Sequence, residues 1–316
     1  MIFARARKLR EAGVIGINAR NSRYIAPHNP RVLYALVDDK IRTKRLAQAA
    51  GIAVPELYGL IHSVGESENL EDVIRDHKEF VIKPAHGSGG NGILVIAGRR
   101  KNAFYKTDGT IIDIYTLRHH IENVLGGVYS LGGHPDQAII EYRVRFNPVF
   151  NEISYQGVPD IRVMLYRGIP TMAMLRLPTK RSGGRANLHQ GAVGVGIALA
   201  TGLTTLSVCD NQRIIEHPDF GHLLAGLQIP GWEDLLLLAT RCYELAPLGY
   251  LGVDIVLDAN LGPLILEMNA RPGLSIQIAN GLGLQPRLDA IDVYYEQSGI
   301  STGAVERAQL ARTFGF

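Results

Sequence analysis

The sequence predicts an α+β fold in which antiparallel strands are interspersed with helices along 316 residues. Turn signals that join adjacent strands occur at Asp108-Gly109, at Arg167-Gly168 and between Asp258 and Gly262. Helical patterns occur over 113–125 and 232–246. Hairpins mixed with helices favour this class over a doubly wound parallel sheet, in which crossover helices would connect the strands.

Composition limits the class of protein. The 33 Lys and Arg residues against 30 Asp and Glu residues give a net charge of +3, too small a basic excess for a protein that coats nucleic acid. A hydrophobic fraction of 46% excludes wholesale disorder. Two cysteines, Cys209 and Cys242, are too few for a disulfide scaffold or a four-thiolate metal site. The 35 glycines indicate tight turns and places where the backbone approaches a ligand closely.

The N-terminal residues MIFARARKLREAG carry charges from Arg5 onward and lack the apolar core of a signal peptide. The longest weakly polar stretch, 193–208, is interrupted by glycines and threonines, so we expect no membrane span. We therefore expect a soluble, cytoplasmic protein.

Residues 1–55 are predicted to form an N-terminal region with two helices. A basic helix is expected over 2–12 and is followed by a polar stretch. The second helix begins after Asp38-Asp39, whose carboxylates favour its positive end, and it stops at Gly51.

Residues 56–137 are predicted to form a block in the order β-α-β-loop-β-β-α, and a Gly/Pro-rich break ends it. Its predicted strands are 56–62, 79–83, 93–97, 104–106 and 110–112, and its predicted helices are 69–77 and 113–125. Residues 138–316 are predicted to form the last block. Its predicted parts are strands 138–144, 161–166 and 171–177, a glycine-rich and basic loop 178–196, a helix 232–246, a hairpin 250–268 and C-terminal helices.

Two carboxylates and an amide are predicted to share one face of the hairpin 250–268. Centring its turn after Asn260 places Asp254 opposite Glu267, and strand alternation puts Asn269 on the same face as Glu267. Carboxylates that face each other across neighbouring strands repel, and a divalent cation removes this conflict. Three oxygen donors without His or thiolate favour Mg²⁺ over Zn²⁺, and Mg²⁺ with few protein ligands implies a nucleotide. The alternative is a surface hairpin with solvated acids.

A lysine at the end of a predicted buried strand precedes a glycine-rich loop, in the order Lys83-Pro84-Ala85-His86-Gly87-Ser88-Gly89-Gly90-Asn91-Gly92. Backbone N–H groups of such a loop form an anion nest and the lysine supplies a point charge, so the pattern predicts phosphate binding. It is not a Walker loop, since no Gly-Lys-Ser/Thr follows, and it is not a dinucleotide fingerprint, since a strand follows at once. A glycine-rich turn without a ligand is the alternative. His86 lies in this loop, and we favour a polar loop residue over the alternative, a residue of the active site.

The acidic hairpin and the glycine-rich loop together resemble the ATP-grasp superfamily of carboxylate–amine ligases, over most of the chain. This resemblance implies two α+β subdomains that clasp ATP, with a shortened N-terminal region. It implies that Lys83 and Lys40, with Lys44 as the alternative to Lys40, contact the phosphates of ATP. The other nucleotide contacts that it implies are Gly87, Ser88, Gly89, Gly90, the hinge residues Glu141, Tyr142 and Val144, and Asp160 at the ribose. It implies Mg²⁺, for which Mn²⁺ can substitute, on Asp254, Glu267 and Asn269.

Within the superfamily, Asp160-Ile161-Arg162 and the segment RANLHQG at 185–191 resemble motifs of the glutamate ligases that extend a ribosomal-protein tail. The resemblance implies that Arg162, Arg185 and Asn187 hold the γ-phosphate and an acyl-phosphate intermediate. The short region before Asp39 and the insertion 142–159 depart from those relatives, so the substrate is the least transferable part of the resemblance. A more distant branch, associated with sugar transfer, is also similar.

The resemblance implies an ADP-forming ligase, in which a substrate carboxylate attacks the γ-phosphate and an amine then displaces phosphate to form an amide. Glutamate or a related amino acid is the expected donor, and an amine on a small molecule or peptide is the expected acceptor. A partner protein or a second copy that completes the acceptor site is a further hypothesis. The alternatives are a kinase on the same fold, a sugar-transfer associated protein and a nucleotide-binding module without catalysis.

Overall fold

The computed structural model describes residues 2–87, 89–130, 132–298 and 303–314, with side chains from residue 6 onward. These residues fold into two compact units. The smaller unit contains residues 39–44 and 54–145, and the larger unit contains the described residues of 1–38, 45–53 and 146–316. The three-part division predicted from the sequence, with boundaries after 55 and 137, stays a prediction.

A six-stranded antiparallel sheet with the strand order β1-β6-β2-β3-β4-β5 forms the smaller unit. Its strands are β1 (Leu57–Ile61), β2 (Phe80–Pro84), β3 (Leu94–Arg100), β4 (Ala103–Lys106), β5 (Ile111–Ile112) and β6 (Ala138–Glu141). The helix Ile114–Leu125 packs against this sheet, and the N-cap Asp113 accepts a hydrogen bond from the backbone N–H of Thr116. The start of the helix Lys40–Ala49 and the short helices Val64–Ser67 and Leu70–Val73 also belong to this unit.

Strand alternation sorts the side chains of this sheet onto two faces. Alternate residues of β2 and β6, such as Phe80 and Ile140, are fully buried in one cluster with the helix Ile114–Leu125. The residues between them, which include Lys83 and Glu141, lie on the other face. The sheet therefore carries its apolar core on one face and a pair of charged side chains on the other.

Two predicted elements of the smaller unit are shorter in the structure. The predicted strand 138–144 ends at Glu141, because Glu141 is opposite Leu57 at the start of β1 and Val81 near the start of β2. The predicted helix 69–77 is reduced to Leu70–Val73, which has no side-chain cap at its N-terminus. Helical turns this short are marginal without caps or packing.

A seven-stranded antiparallel sheet with the strand order β11-β10-β9-β8-β7-β12-β13 forms the larger unit. Its strands are β7 (Asp160–Tyr166), β8 (Ile169–Leu177), β9 (Val193–Ile197), β10 (Thr204–Cys209), β11 (Gln212–Ile214), β12 (Tyr250–Asp258) and β13 (Gly262–Asn269). Its longer helices are Ile2–Glu11, Trp232–Leu245, Ser275–Asn280, Gln285–Ser298 and Ala304–Thr313, and short helical turns occupy much of 17–38.

The strands β9 to β11 are absent from the prediction, which treats 178–196 as loop. Glycines at alternate positions of β9 hide its strand pattern. A Cβ atom at Gly194 would lie 2.7 Å from Cδ2 of Leu188, and one at Gly196 would lie 2.8 Å from the carbonyl oxygen of Ala279. These glycines are therefore required by the chain segments that cross over the strand.

The N-terminal segment is part of the core of the larger unit. Ile15 and Tyr24 are buried in one cluster with Tyr166 of β7. The Asn29 side chain donates to the carbonyl oxygens of Tyr250 (2.8 Å) and Ala270 (3.1 Å), and it accepts from the N–H of Tyr250 (2.8 Å). The segment is thereby fastened to β12 and to the residue that follows β13.

Antiparallel sheets combined with helices in both units confirm the predicted α+β class. Within the described ranges, no helix combines the length and the apolar character that a bilayer crossing requires.

Candidate active site

A buried carboxylate between two lysines lies on the second face of the smaller sheet. The Glu141 carboxylate accepts from Nζ of Lys83 at one oxygen and from Nζ of Lys44 at the other, both at 2.5 Å. Nζ of Lys44 also donates to the carbonyl oxygen of Pro55. The three side chains retain only 4–11% of their accessible surface. The group therefore holds one negative and two positive charges out of water.

The pKa values of this group follow from burial and from the neighbouring charges. Burial alone would raise the pKa of Glu141, but Lys83 and Lys44 together lower it below its ordinary value. Burial lowers the pKa of Lys44, against the opposing effect of Glu141. With both lysines protonated, the group has one positive charge in excess, and an anion such as phosphate would balance it.

Lys40 lies at the glycine-rich loop. Its Nζ donates to the carbonyl oxygens of Gly87 (2.7 Å) and Ala85 (3.2 Å). Gly89 and Gly90 have φ values of +63° and +79°, which glycine adopts without strain. The structure thus places Lys44 beside Lys83 and Lys40 at the loop, and the assignment of the first phosphate lysine stays a prediction.

Three other predicted nucleotide contacts belong to the smaller unit. Ser88 lies outside the described residues. The backbone N–H of Tyr142 donates to the carbonyl oxygen of Glu56 at 2.8 Å. Val144 is buried beyond the end of β6. Both follow the shortened strand, so they do not extend the sheet as the sequence predicts.

A row of alternating charges lies on one face of the larger sheet. Arg162 donates from Nε to Oδ1 of Asp254 (2.7 Å) and from Nη2 to Oδ2 (2.6 Å). Arg176 bridges Asp254 and Asp160: its Nη2 is 2.8 Å from Oδ2 of Asp254, and its guanidinium pairs with both carboxylate oxygens of Asp160. Two arginines and two aspartates on three strands therefore form one continuous network.

Burial and charge act in opposite directions on the two aspartates. Burial alone would raise the pKa of Asp254, but Arg162 and Arg176 lower it to about 2. Burial raises the pKa of Asp160, and the negative charge of Asp254 raises it further. Arg176 lowers it, but this guanidinium group is shared with Asp254 and offsets only part of the rise. Asp254 is thus held ionised, and Asp160 is the member of the row that takes up a proton first.

The structure confirms the predicted register of the acidic hairpin. Asp254 pairs with Glu267, and Gly252 pairs with Asn269. The turn is centred on Asn260, and a bulge that leaves Leu266 unpaired restores the predicted register at the carboxylates. The side chains of Asp254, Glu267 and Asn269 therefore share the charged face.

This donor set fits a hard cation. Within the described part of the chain, neither the Glu267 carboxylate nor the side-chain amide of Asn269 forms a hydrogen bond or ion pair, so the amide oxygen is available as a ligand. Asp254 has both oxygens bound by arginines. A carboxylate and an amide without partners, beside the carboxylate of Asp254, suit a hard divalent cation such as Mg²⁺.

Two predicted phosphate contacts lie apart from this network. The side chain of Asn187 accepts from the N–H of His189 at 3.0 Å and caps the short turn Leu188–Gln190. The Arg185 side chain is exposed. Neither residue forms a hydrogen bond with the charged row among the described contacts.

A small cavity lies on the charged face of the same sheet. Its volume is about 150 Å³. It is lined by Leu188, His189, Ala192, Val208, Asp210, Asn211, Ser275 and Ile278. Val208 pairs with Gly194, and Gly194 pairs with Arg176, so the cavity begins about 10 Å, or two strands, from the charged row.

Arg176 is the member of the charged row that the sequence motifs do not reveal. The signal was present, since Arg176 is the single charge in the apolar strand β8.

We expect that Arg176→Met lowers the free energy of unfolding by about 3 kcal/mol, which is the lower end of the range for a broken buried ion pair. The loss is at the lower end because Asp160 can take up a proton, which relieves part of the cost of its unpaired charge. Urea unfolding measures this loss. Arg213→Met, on the exposed strand β11, is the control and should change stability by less than about 0.5 kcal/mol.

Comparisons with known proteins identify a family and several relatives. The family model described as sugar-transfer associated ATP-grasp matches residues 19–293. A probable alpha-L-glutamate ligase of Klebsiella pneumoniae (strain 342) is 25% identical over 265 residues, which are 84% of this chain and 66% of that protein. Another from Pseudomonas entomophila (strain L48) is 23% identical over 258 residues, 81% of this chain and 64% of that protein. The crystal structure of D-alanine–D-alanine ligase from Bacillus anthracis matches with a TM-score of 0.46 and 13% identity, over 86% of this chain and 72% of that one.

The chain spans 56–66% of the length of three curated relatives, namely the two probable alpha-L-glutamate ligases named above and a third of the same name. The match of the family model covers most of the chain and confirms the resemblance to the ATP-grasp superfamily. The chain belongs to the sugar-transfer associated ATP-grasp family.

Proposed function

We propose that this protein is an ATP-dependent carboxylate–amine ligase that joins an amino acid, glutamate or a related one, to an amine and releases ADP and phosphate. The relatives named probable alpha-L-glutamate ligase support the reaction class and the donor. Because the chain covers only part of their length, the acceptor is proposed at the level of an amine on a small molecule or peptide. A partner protein or a second copy that completes the acceptor site remains part of the proposal.

The observation that carries the proposal is the charged row on the larger sheet, with two unpartnered oxygen donors beside it. Asp254, Glu267 and Asn269 are proposed to hold Mg²⁺, which when bound neutralises phosphate charge. Three hydrogen bonds reach the Asp254 carboxylate, two from Arg162 and one from Arg176, and Oδ1 accepts only one of them, so it keeps a lone pair for the ion. Arg162 is proposed to exchange one of its hydrogen bonds to Asp254 for one to a phosphate oxygen when ATP binds.

Cationic groups are proposed to bind the phosphates and to stabilise the transferring phosphoryl group. The excess positive charge around Glu141 supports Lys83 and Lys44 as phosphate ligands, and Lys40 supports the loop at Gly87. Arg185, exposed on its loop, and Asn187 are proposed to contact the γ-phosphate and the acyl phosphate. Asp160 is proposed to contact the ribose of ATP.

The reaction is proposed to proceed in two displacements. A carboxylate oxygen of the amino acid attacks the γ-phosphorus, the bond from that phosphorus to the β–γ bridging oxygen breaks, and ADP leaves. The acceptor nitrogen then attacks the acyl carbon, phosphate leaves with the acyl-phosphate oxygen, and the nitrogen loses a proton. Neither step needs a nucleophile from the protein. Burial raises the pKa of both cysteine thiols, that of Cys242 to about 12, so neither is poised as a thiolate nucleophile.

The proposal is tested by phosphate release from ATP and Mg²⁺ with a panel of amino acids and amines, followed by the mass of the product. We expect release that depends on an amino acid and a product heavier than the acceptor by one residue. A Glu267→Ala, Asn269→Ala double variant gives the background. A product that carries phosphate on a hydroxyl group would replace the ligase by a kinase, and the absence of ATP binding would contradict the proposal altogether.

A further inference from the structure

A histidine beside the glycine-rich loop is held by a buried carboxylate. Nδ1 of His86 lies 2.8 Å from Oδ1 of Asp136, and the backbone N–H of His86 donates to Oδ2 at 2.9 Å. The Asp136 side chain is fully inaccessible, whereas 49% of the His86 side chain is exposed. The imidazole is therefore anchored at one edge and open at the other.

The backbone around His86 is also fixed. The carbonyl oxygens of Ala85 and Gly87, on either side of it, accept from Nζ of Lys40. The N–H of Ala85 donates to the carbonyl oxygen of Gln137 at 2.9 Å. Both the main chain and the ring of His86 thus have one defined position at the start of the glycine-rich loop.

The contacts of Asp136 define the chemistry of the ring. An ionised carboxylate only accepts hydrogen bonds, so Nδ1 carries the hydrogen and Nε2 is the outward atom. Asp136 also accepts from the N–H of Gln137 at 2.7 Å. Among the described residues, His86 is the one titratable side chain in contact with Asp136. When the ring is protonated, Nε2 carries a second N–H donor, which an anion at the open edge can accept.

We propose that His86 is a catalytic residue whose Nε2–H donates a hydrogen bond to the terminal phosphate of ATP, with Asp136 as the positioning residue that orients the ring. This inference rests on the proposed function. His86 stands between Ala85 and Gly87, whose carbonyl oxygens accept hydrogen bonds from Lys40. The glycines of the predicted anion nest follow directly in the sequence. An oriented, charge-assisted donor at this place distinguishes a nucleotide with a third phosphate from one without it.

The test compares the affinities for ATP and ADP, each with Mg²⁺ and without amino acid, by isothermal titration calorimetry. We expect His86→Gln to weaken ATP binding about 10- to 100-fold, the range of one charge-assisted hydrogen bond, and to leave ADP binding within about twofold. Asp136→Asn should weaken ATP binding by a smaller factor and should have no further effect in the His86→Gln background. His119→Gln is the control, since its side chain is 75% exposed on the helix Ile114–Leu125.

Several results would overturn the inference. Equal losses for ATP and ADP in the His86→Gln protein would show that His86 only supports the loop. An undiminished effect of Asp136→Asn in the His86→Gln background would show that Asp136 acts without the ring. Acid-labile phosphate on His86 would make the ring a nucleophile instead of a donor. If the unsubstituted protein binds neither nucleotide, the proposed function fails as well, whereas ATP binding with the wrong variant pattern removes only the role of His86.

Discussion

Asp254→Asn is expected to lower the free energy of unfolding by about 5 kcal/mol, the upper end for a broken buried ion pair, and to abolish ATP-dependent phosphate release. The reason is that the carboxylate balances two guanidinium groups, since both Arg162 and Arg176 donate to it. An asparagine would leave both arginines without that charge in a site from which water is largely excluded. Chemical denaturation measures the stability, and phosphate release measures the activity.

Glu267→Gln is the matched control on the neighbouring strand. Glu267 faces Asp254 across the hairpin, but it has no ion pair among the described residues. We expect its replacement to change stability by less than about 0.5 kcal/mol, or to increase it slightly because like charges no longer face each other, while phosphate release is lost as in Asp254→Asn. Equal destabilisation by the two substitutions would contradict the charge arrangement of this face.

Glu141→Gln is expected to have the second-largest effect, a loss of about 4 kcal/mol in the free energy of unfolding. The substitution removes the one negative charge between Lys83 and Lys44 and leaves two ammonium groups close together on a buried face. The loss is expected to be smaller at high pH, because burial already lowers the pKa of Lys44 and its deprotonation relieves the repulsion. Denaturation in urea at two pH values, near neutrality and near pH 10, measures both effects.

Lys44→Met separates charge balance from simple loss of contacts. It removes one ammonium group and leaves Glu141 paired with Lys83, so the remaining charges are balanced. We therefore expect a cost of no more than about 1 kcal/mol, well below that of Glu141→Gln. A larger loss for Lys44→Met than for Glu141→Gln would show that the hydrogen bonds of the Lys44 ammonium group to Glu141 and Pro55 outweigh the charge balance of this face.

The register of the acidic hairpin was predictable from the sequence because two independent signals agree. Alternation fixes which residues share a face, and the turn between Asp258 and Gly262 fixes which residues are opposite each other. The prediction centred the turn half a residue away from its observed position. The bulge at Leu266 compensates for that shift, so Asp254 and Glu267 still pair. A bulge leaves no clear mark in an apolar strand.

Other features depend on contacts that are distant in the sequence. The strand β6 ends at Glu141 because its neighbours begin opposite that residue, and the sequence of 138–144 alone continues the strand pattern. The glycines of β9 make room for Leu188 and for the helix Ser275–Asn280, and this requirement exists only in the folded chain. Local propensity therefore identified most of the elements, but it missed β9 to β11 and did not fix all of the limits.

The same distinction between local and distant contacts separates the site residues that the sequence reveals from those that it conceals. Asp254, Glu267 and Lys83 were identified because each stands in a local motif. Arg176 belongs to no motif, and its importance follows from the two carboxylates that it bridges across three strands. Asp136 stands in a Gly/Pro-rich break, and only the fold brings it to His86. Charge pairs between separate segments are thus the part of the site that a single sequence conceals.

The central claim, activation of a carboxylate as an acyl phosphate, is tested most directly by following oxygen from the amino acid into phosphate. A mixture of amino acids labelled with ¹⁸O in their carboxylates is incubated with the protein, ATP, Mg²⁺ and amine acceptors, and the released phosphate is analysed by mass spectrometry. The proposal predicts one ¹⁸O atom in each phosphate molecule that is released together with an amide product. Amino-acid-dependent release of phosphate without ¹⁸O would contradict it, because the carboxylate would then not have attacked the γ-phosphorus.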